Sequence, residues 1–168
     1  MEISIKSFIL FGSMVLTGLS AGLFYAWSVS VIPGTLRVTD STYLETMQSI
    51  NRAILNPVFF LVFFGSILFL SLSSIFEFHA NKVTFWILLS SSIFYLIGTV
   101  GVTGLGNVPL NDQLDALDLA KMDAGRMAQF RQFYESNWNR LHLIRTVFAV
   151  VSFLLASTAI FTYSKLKI

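Results

Sequence analysis

The chain has 168 residues, of which 55% are hydrophobic and 12% charged, with 17 phenylalanines, a net charge of +2 and a mean hydropathy of +0.73. That balance is too apolar for a soluble domain of this size and suits a small integral membrane protein. There is no cysteine, which excludes disulfides, thiolate nucleophiles and Cys-ligated metals, and no basic stripe or glycine-rich phosphate loop points to nucleic acid or nucleotides.

Four windows free of Asp, Glu, Lys and Arg, at 7–36, 53–76, 83–111 and 146–164, locate the membrane spans. A helix needs about 20 apolar residues to cross a hydrocarbon core of about 30 Å. The windows predict four transmembrane helices at about 7–34, 54–76, 83–105 and 142–164, forming a single four-span domain over 1–168. The expected fold is all-α, an integral membrane antiparallel four-helix bundle with short helices in the two outer connections. The first run follows Lys6 as a signal peptide would, but it far exceeds an h-region of about 7–15 residues and reads as an uncleaved helix.

The first connection contains Thr42-Tyr-Leu-Glu45, a capping-box pattern, followed by Met47, Ile50 and Ile54 on the face of Tyr43. A helix over 42–53 is therefore predicted. Pro57 then forces a fresh start, and Asn56 is suited to cap it. SIFEFHANKV, 74–83, reads as a tight hairpin.

The second outer connection opens on GLGNVPLND, 104–112, where Asn107 precedes Pro109 by two residues. This point and Asn56-Pro57 are predicted to lie at similar depth on one side, their asparagine amides satisfying the backbone groups the prolines free. DQLDALDLAKMDAG, 112–125, is predicted as a short helix ending near Gly125. From Arg126 onward Phe130, Phe133, Tyr134 and Trp138 recur at helical spacing, so one helix runs on into the fourth span. Both outer connections are expected to fold over one mouth of the bundle.

Lys6, Lys82, Lys165 and Lys167 cluster at span ends on the side of the short hairpin and both termini. The opposite side spreads Arg37, Arg52, Lys121, Arg126, Arg131 and Arg140 among seven acids. The density of lysines near the spans places the hairpin side in the cytoplasm, and the implied location is a bacterial inner membrane. The lipid bilayer is then the expected partner, with no nucleic acid.

Charged and amide groups crowd the entry to the fourth span in NWNRLHLIRTV, 137–147. At 100° per residue Trp138, His142 and Arg145 share an arc that continues down through Ala149, Ser152, Ala156 and Ala159. A small-residue stripe under polar groups suits a helix contact or a ligand slot. Each group also has a plain role: His142 as an interfacial hydrogen-bonding side chain, Arg145 snorkelling to headgroups, Trp27, Trp86 and Trp138 as belt anchors, and Asn56 and Asn107 as caps. An ionisable residue inside a span is nonetheless a functional candidate, and Arg145 was expected to pair with Asp112, Asn107 or Asn111. The two histidines, His79 and His142, lie on opposite sides, so no metal or bis-histidine haem site within the chain is expected.

GLFYAWSVSVIPG at 22–34, MQSINRAILNP at 47–57, GNVPLND at 106–112 and NWNRLHLIRTV at 137–147 occur in an order and spacing that resemble the DUF1772 family of small four-helix membrane proteins. That family includes the anthrone oxygenases of fungal polyketide pathways. The resemblance spans nearly the whole chain and would place the family's polar signature on Asn51, Asn56, Asn107, Asn111, Trp138, Asn139, His142 and Arg145. It implies oxidation of an apolar aromatic small molecule in a bundle cavity without a cofactor. His142 would act as base, and Arg145 with Asn107 and Asn111 would stabilise an oxyanion. Asn56, Asn107, Asn111, Trp138 and Asn139 would contact the substrate. Two other readings stand beside it: a non-catalytic binder of a lipid, quinone or apolar metabolite, and a structural membrane subunit.

Overall fold

The computed structural model describes residues 4–164. Lys165 and Lys167, which carry part of the orientation argument, lie outside the described residues. Five helices organise the chain: α1 (Ile5–Thr35), α2 (Asp40–Ala53), α3 (Pro57–Glu77), α4 (Lys82–Asp115) and α5 (Ala124–Ser164). Of these, α1, α3, α4 and most of α5 are long and apolar enough to cross a bilayer. They pack in the cyclic order α1–α3–α4–α5 as an antiparallel bundle.

Side chains facing the backbone fix the helix starts. Asn56 Oδ1 accepts from the Phe59 amide at 3.0 Å while its Nδ2 donates to the Ala53 carbonyl at 2.9 Å, so one amide closes α2 and opens α3, with Pro57 in the first turn. Asn81 Oδ1 accepts from Val83 and Thr84 at 3.0 and 3.2 Å and opens α4. The α2 start differs from the capping-box expectation. Thr39 is its N-cap, accepting from the Thr42 amide at 3.4 Å, and Asp40 occupies the first turn, where the helix dipole favours an acid.

Two further expectations are corrected. The helix expected over 112–125 instead ends at Asp115 and is followed by one 3-10 turn, Leu119–Lys121. The stretch 104–112 is not a break: α4 continues through it by widening. Backbone turns open to the π form at Tyr95–Gly101 and Thr103–Asn107, and α1 does the same at Trp27–Val31. Two of these wide segments end two residues before a proline, Pro33 or Pro109. A proline ring clashes with the carbonyl four residues earlier, and a wider turn relieves that clash without ending the helix. Asn107 therefore caps nothing. Its Nδ2 reaches across to the Trp138 carbonyl at 3.3 Å and braces α4 against α5.

Inside the bundle the contacts are small residues and hydroxyls, the usual means of packing helices in lipid. Ser91 and Ser152 hydroxyls lie 2.9 Å apart, Ser20 and Tyr95 hydroxyls 2.7 Å, and Thr84 and Thr162 hydroxyls 2.9 Å. The predicted stripe Ala149, Ser152, Ala156 and Ala159 is fully buried. Gly98 sits directly against the Phe148 ring, so α4 and α5 approach as closely as the missing Cβ allows. Gly22 and Gly104, in contrast, face open space.

One end of the bundle is covered by α2 and the upper part of α5. Tyr43, Leu44 and Met47 of α2 pack on Leu110, Leu114, Tyr134 and Trp138. Arg131 clamps this cap. It donates to the Thr35 and Val38 carbonyls at 3.0 and 2.8 Å, pairs with Asp40 at 3.0 Å and Glu135 at 2.9 Å, and stacks on the Tyr43 ring at 4.6 Å. Burial, with Glu135 nearby, pushes the Tyr43 hydroxyl well above its ordinary range, so the cap holds it neutral.

Candidate functional site

The capped end encloses a cavity of about 200 Å³ between α1, α3, α4 and α5, with Phe63 and Val100 below it and Ile50, Asn51 and Ile54 of α2 above. Its walls are mainly phenylalanine, leucine and tryptophan. Its exposed lining residues, Phe60 and Phe64 of α3 and Gly104 and Val108 at the widened part of α4, with Leu23 of α1 and Leu55 beside them, put its opening on the flank of the bundle. Val58, Leu61 and Leu105, with Leu55 just before α3, form an exposed apolar belt on the same part of α3 and α4. Such a surface faces lipid, not water.

Into this cavity α5 presents Trp138, His142 and Arg145, which helical spacing puts on one face. His142 is 1% exposed and Arg145 8%. The histidine ring stacks on Trp138 at 5.0 Å and 6°. The Arg145 guanidinium lies 4.7 Å from the Phe24 ring and 5.0 Å from the Trp138 ring, so aromatic faces meet the cation. Trp27 packs 5.7 Å from Trp138 in the cavity wall and is no belt anchor. Trp86, 61% exposed, fits that role.

Hydrogen bonds fix the histidine tautomer. Arg145 Nε and one terminal nitrogen both donate to His142 Nδ1, at 3.2 and 3.1 Å, so Nδ1 carries a lone pair and Nε2 the proton. Nε2–H faces the Phe24 carbonyl at 3.1 Å, the Ser28 hydroxyl at 3.0 Å and the Thr146 hydroxyl at 3.3 Å. Both hydroxyls donate elsewhere, Ser28 to the Phe24 carbonyl and Thr146 to the His142 carbonyl, and therefore offer lone pairs to the histidine. The basic nitrogen is thus occupied by the guanidinium, not free as a base in waiting.

The expected partners of Arg145 are elsewhere. Its remaining polar contact is the Thr103 hydroxyl at 3.4 Å, on the widened segment of α4. None of the ion pairs among the described residues includes it. Asp115 pairs with Arg52, Asp118 with Lys121, and Asp40 and Glu135 with Arg131. A buried guanidinium without a carboxylate is costly, and an anion entering the cavity would compensate it.

Asn111 and Asn51 line the cavity and belong to a network with Tyr134 and Trp138. Asn107 is buried behind Trp138 and does not line it, with its Oδ1 unpartnered. Asn56 is occupied as a cap, and the half-buried Asn139 is not in the cavity wall. Phe24, Ser28, Thr103 and Thr146 were missed by sequence reasoning. Ser28 and Thr146 each stand four residues beyond a site residue, Phe24 or His142, on the same helical face, and that spacing was the available signal.

No curated protein and no solved structure matches the chain. A family model does, that of the anthrone oxygenases, over residues 57–155, more than half of the chain and including α3, the widened α4 and the whole His142–Arg145 segment. With the four apolar helices and the cavity they enclose, that match identifies the chain as a member of the anthrone oxygenase family.

Proposed function

We propose that this protein, acting as one four-span unit, oxygenates a flat aromatic substrate of the anthrone type in the cavity beside Arg145. The observation that carries the reading is the buried, acid-free guanidinium in a phenylalanine-lined slot. An anthrone methylene is acidic because its carbanion delocalises into a phenolate. Arg145 stabilises that oxygen. The carbanion itself supplies the electrons: anthrone plus O2 gives a hydroperoxide at the former methylene carbon, and loss of water leaves the quinone carbonyl, so the reaction balances with no added reductant or cofactor.

Binding supplies the base as well. When the guanidinium turns from His142 Nδ1 toward the incoming oxygen, the Nδ1 lone pair is released to take the methylene proton. The imidazolium so formed is held by the Phe24 carbonyl and the Ser28 and Thr146 hydroxyls. One observation favours a second reading. Because Nδ1 is already occupied, a protein that binds an aromatic anion without transforming it would need no further change. The bilayer is the partner in either case, and we place the lysine-rich hairpin end in the cytoplasm of a bacterial inner membrane.

Oxygen uptake by purified protein given anthrone separates the readings. The expected result is one O2 consumed per quinone formed, faster than in protein-free micelles, lost in His142→Ala and impaired in Arg145→Lys, whose ammonium lacks the planar fork. Anthrone binding with uptake equal to the blank would establish the binder instead.

A further inference from the structure

The cavity has a second polar pole, at the Nε1 edge of the Trp138 indole whose ring packs on His142 and Arg145. It is made by Asn51 of α2 and Asn111 of α4, both in the cavity wall. One obligatory donor sets its polarity. The indole N–H can only donate, and it lies 2.9 Å from Asn111 Oδ1, so that atom is the amide oxygen. The Tyr134 hydroxyl donates to the same oxygen at 3.0 Å. Its single proton thus engaged, Tyr134 accepts from Asn51 Nδ2 at 3.0 Å.

The network therefore occupies the nitrogen of Asn51 and the oxygen of Asn111. Two complementary atoms are left over, Asn51 Oδ1 as an acceptor and Asn111 Nδ2 as a donor. Neither has a partner among the described residues, and neither is sealed off inside the protein. A neutral hydroxyl satisfies both at once, donating to Asn51 and accepting from Asn111. An ether or carbonyl uses only Asn111, and a second carboxylate meets the Asn51 lone pair and is repelled.

We infer that Asn51 and Asn111 are specificity-determining residues, selecting an aromatic anion that carries a neutral hydroxyl apart from its anionic oxygen. The inference rests on Arg145 being the anion site, and the two ideas fail separately. The test uses stable, fluorescent probes: 2-naphthoate, its 6- and 7-hydroxy derivatives, and the matching methyl ethers. Binding to the full chain in detergent is followed by anisotropy, with protein-free micelles as blank.

Two net hydrogen bonds to a neutral group support a preference of about fivefold or more for one hydroxynaphthoate over 2-naphthoate, and the one bond an ether cannot make supports about twofold or more over its methyl ether. Asn51→Leu and Asn111→Leu erase that preference, read as the ratio of the hydroxynaphthoate and 2-naphthoate affinities of each variant. Equal binding of all probes by the unaltered protein overturns the inference and leaves the anion site standing, and so does a preference that survives Asn51→Leu. Failure of every naphthoate to bind overturns the anion site and the inference with it. Should Asn111→Leu not fold, having removed the acceptor of Trp138 and Tyr134, Asn51→Leu decides alone, because it leaves that pair of bonds in place.

Discussion

Arg145→Met removes a cation that has no counter-charge among the described residues, and its effect on stability separates a functional arginine from a structural one. An arginine at the centre of a membrane helix costs about 2.5–3.5 kcal/mol. Methionine fills a similar apolar volume, so deleting the charge recovers most of that. Against the gain stands His142 Nδ1, which loses both of its donors and is left buried and unsatisfied at a cost of about 1–3 kcal/mol. The difference runs from a loss of about 0.5 to a gain of about 2.5 kcal/mol. At about 2–4 °C per kcal/mol for a protein of this size, the midpoint in a thermal scan changes by between about −2 and +10 °C. Naphthoate or anthrone binding is lost in the same variant. If Arg145 were instead half of a structural pair, breaking that pair would cost about 3–5 kcal/mol and lower the midpoint by about 6–20 °C. A fall of about 6 °C or more would refute the reasoning.

Arg131→Ala leaves Glu135 buried with neither oxygen paired and unties α2 from α1 and α5, so amide exchange across 40–53 accelerates while the lower bundle is unchanged; unaltered exchange there would count against the clamp. Gly98→Ala drives a methyl group into Phe148 and costs about 1–3 kcal/mol by thermal unfolding, whereas Gly22→Ala meets nothing and gains helix propensity; equal behaviour of the two would contradict the close α4–α5 approach. Placement of the hairpin end in the cytoplasm predicts that Lys82→Cys resists an impermeant thiol reagent on intact cells while Glu45→Cys reacts, and the reverse pattern inverts the topology.

The four long apolar helices were legible because a charge is expensive in lipid, and four charge-free windows of adequate length leave little choice. Trp138, His142 and Arg145 were legible as a group because a regular helix keeps positions four and three apart on one face, and α5 is regular throughout. What periodicity could not reveal lies where regularity fails. In the largely apolar stretch 95–107 a slip to wider turns changes no pattern of polar and apolar residues, so the approach to Pro109 read as an irregular point where the chain absorbs the proline by widening, as it also does before Pro33. The partner of Arg145 was misjudged for a different reason. Charge counting along the sequence offers Asp112 and its neighbours, but the three-dimensional cap engages Asp115, Asp118, Asp40 and Glu135 with other cations and gives Arg145 only rings, a hydroxyl and a neutral histidine. Nor does any sequence feature say which nitrogen of His142 holds the proton, which the two Arg145 donors decide.

The sideways mouth between Phe60, Phe64, Gly104 and Val108 changes what concentration means for this protein. A ligand arriving through it is drawn from a two-dimensional solvent, so saturation follows the mole fraction of ligand in the membrane and not its molarity in the medium. Adding empty vesicles dilutes such a ligand without touching the protein, and the apparent half-saturation point then rises in proportion to total lipid. A product of the proposed oxygenation, released through the same mouth, would remain in the bilayer and compete there, so the volume of membrane available to take it up would enter the kinetics.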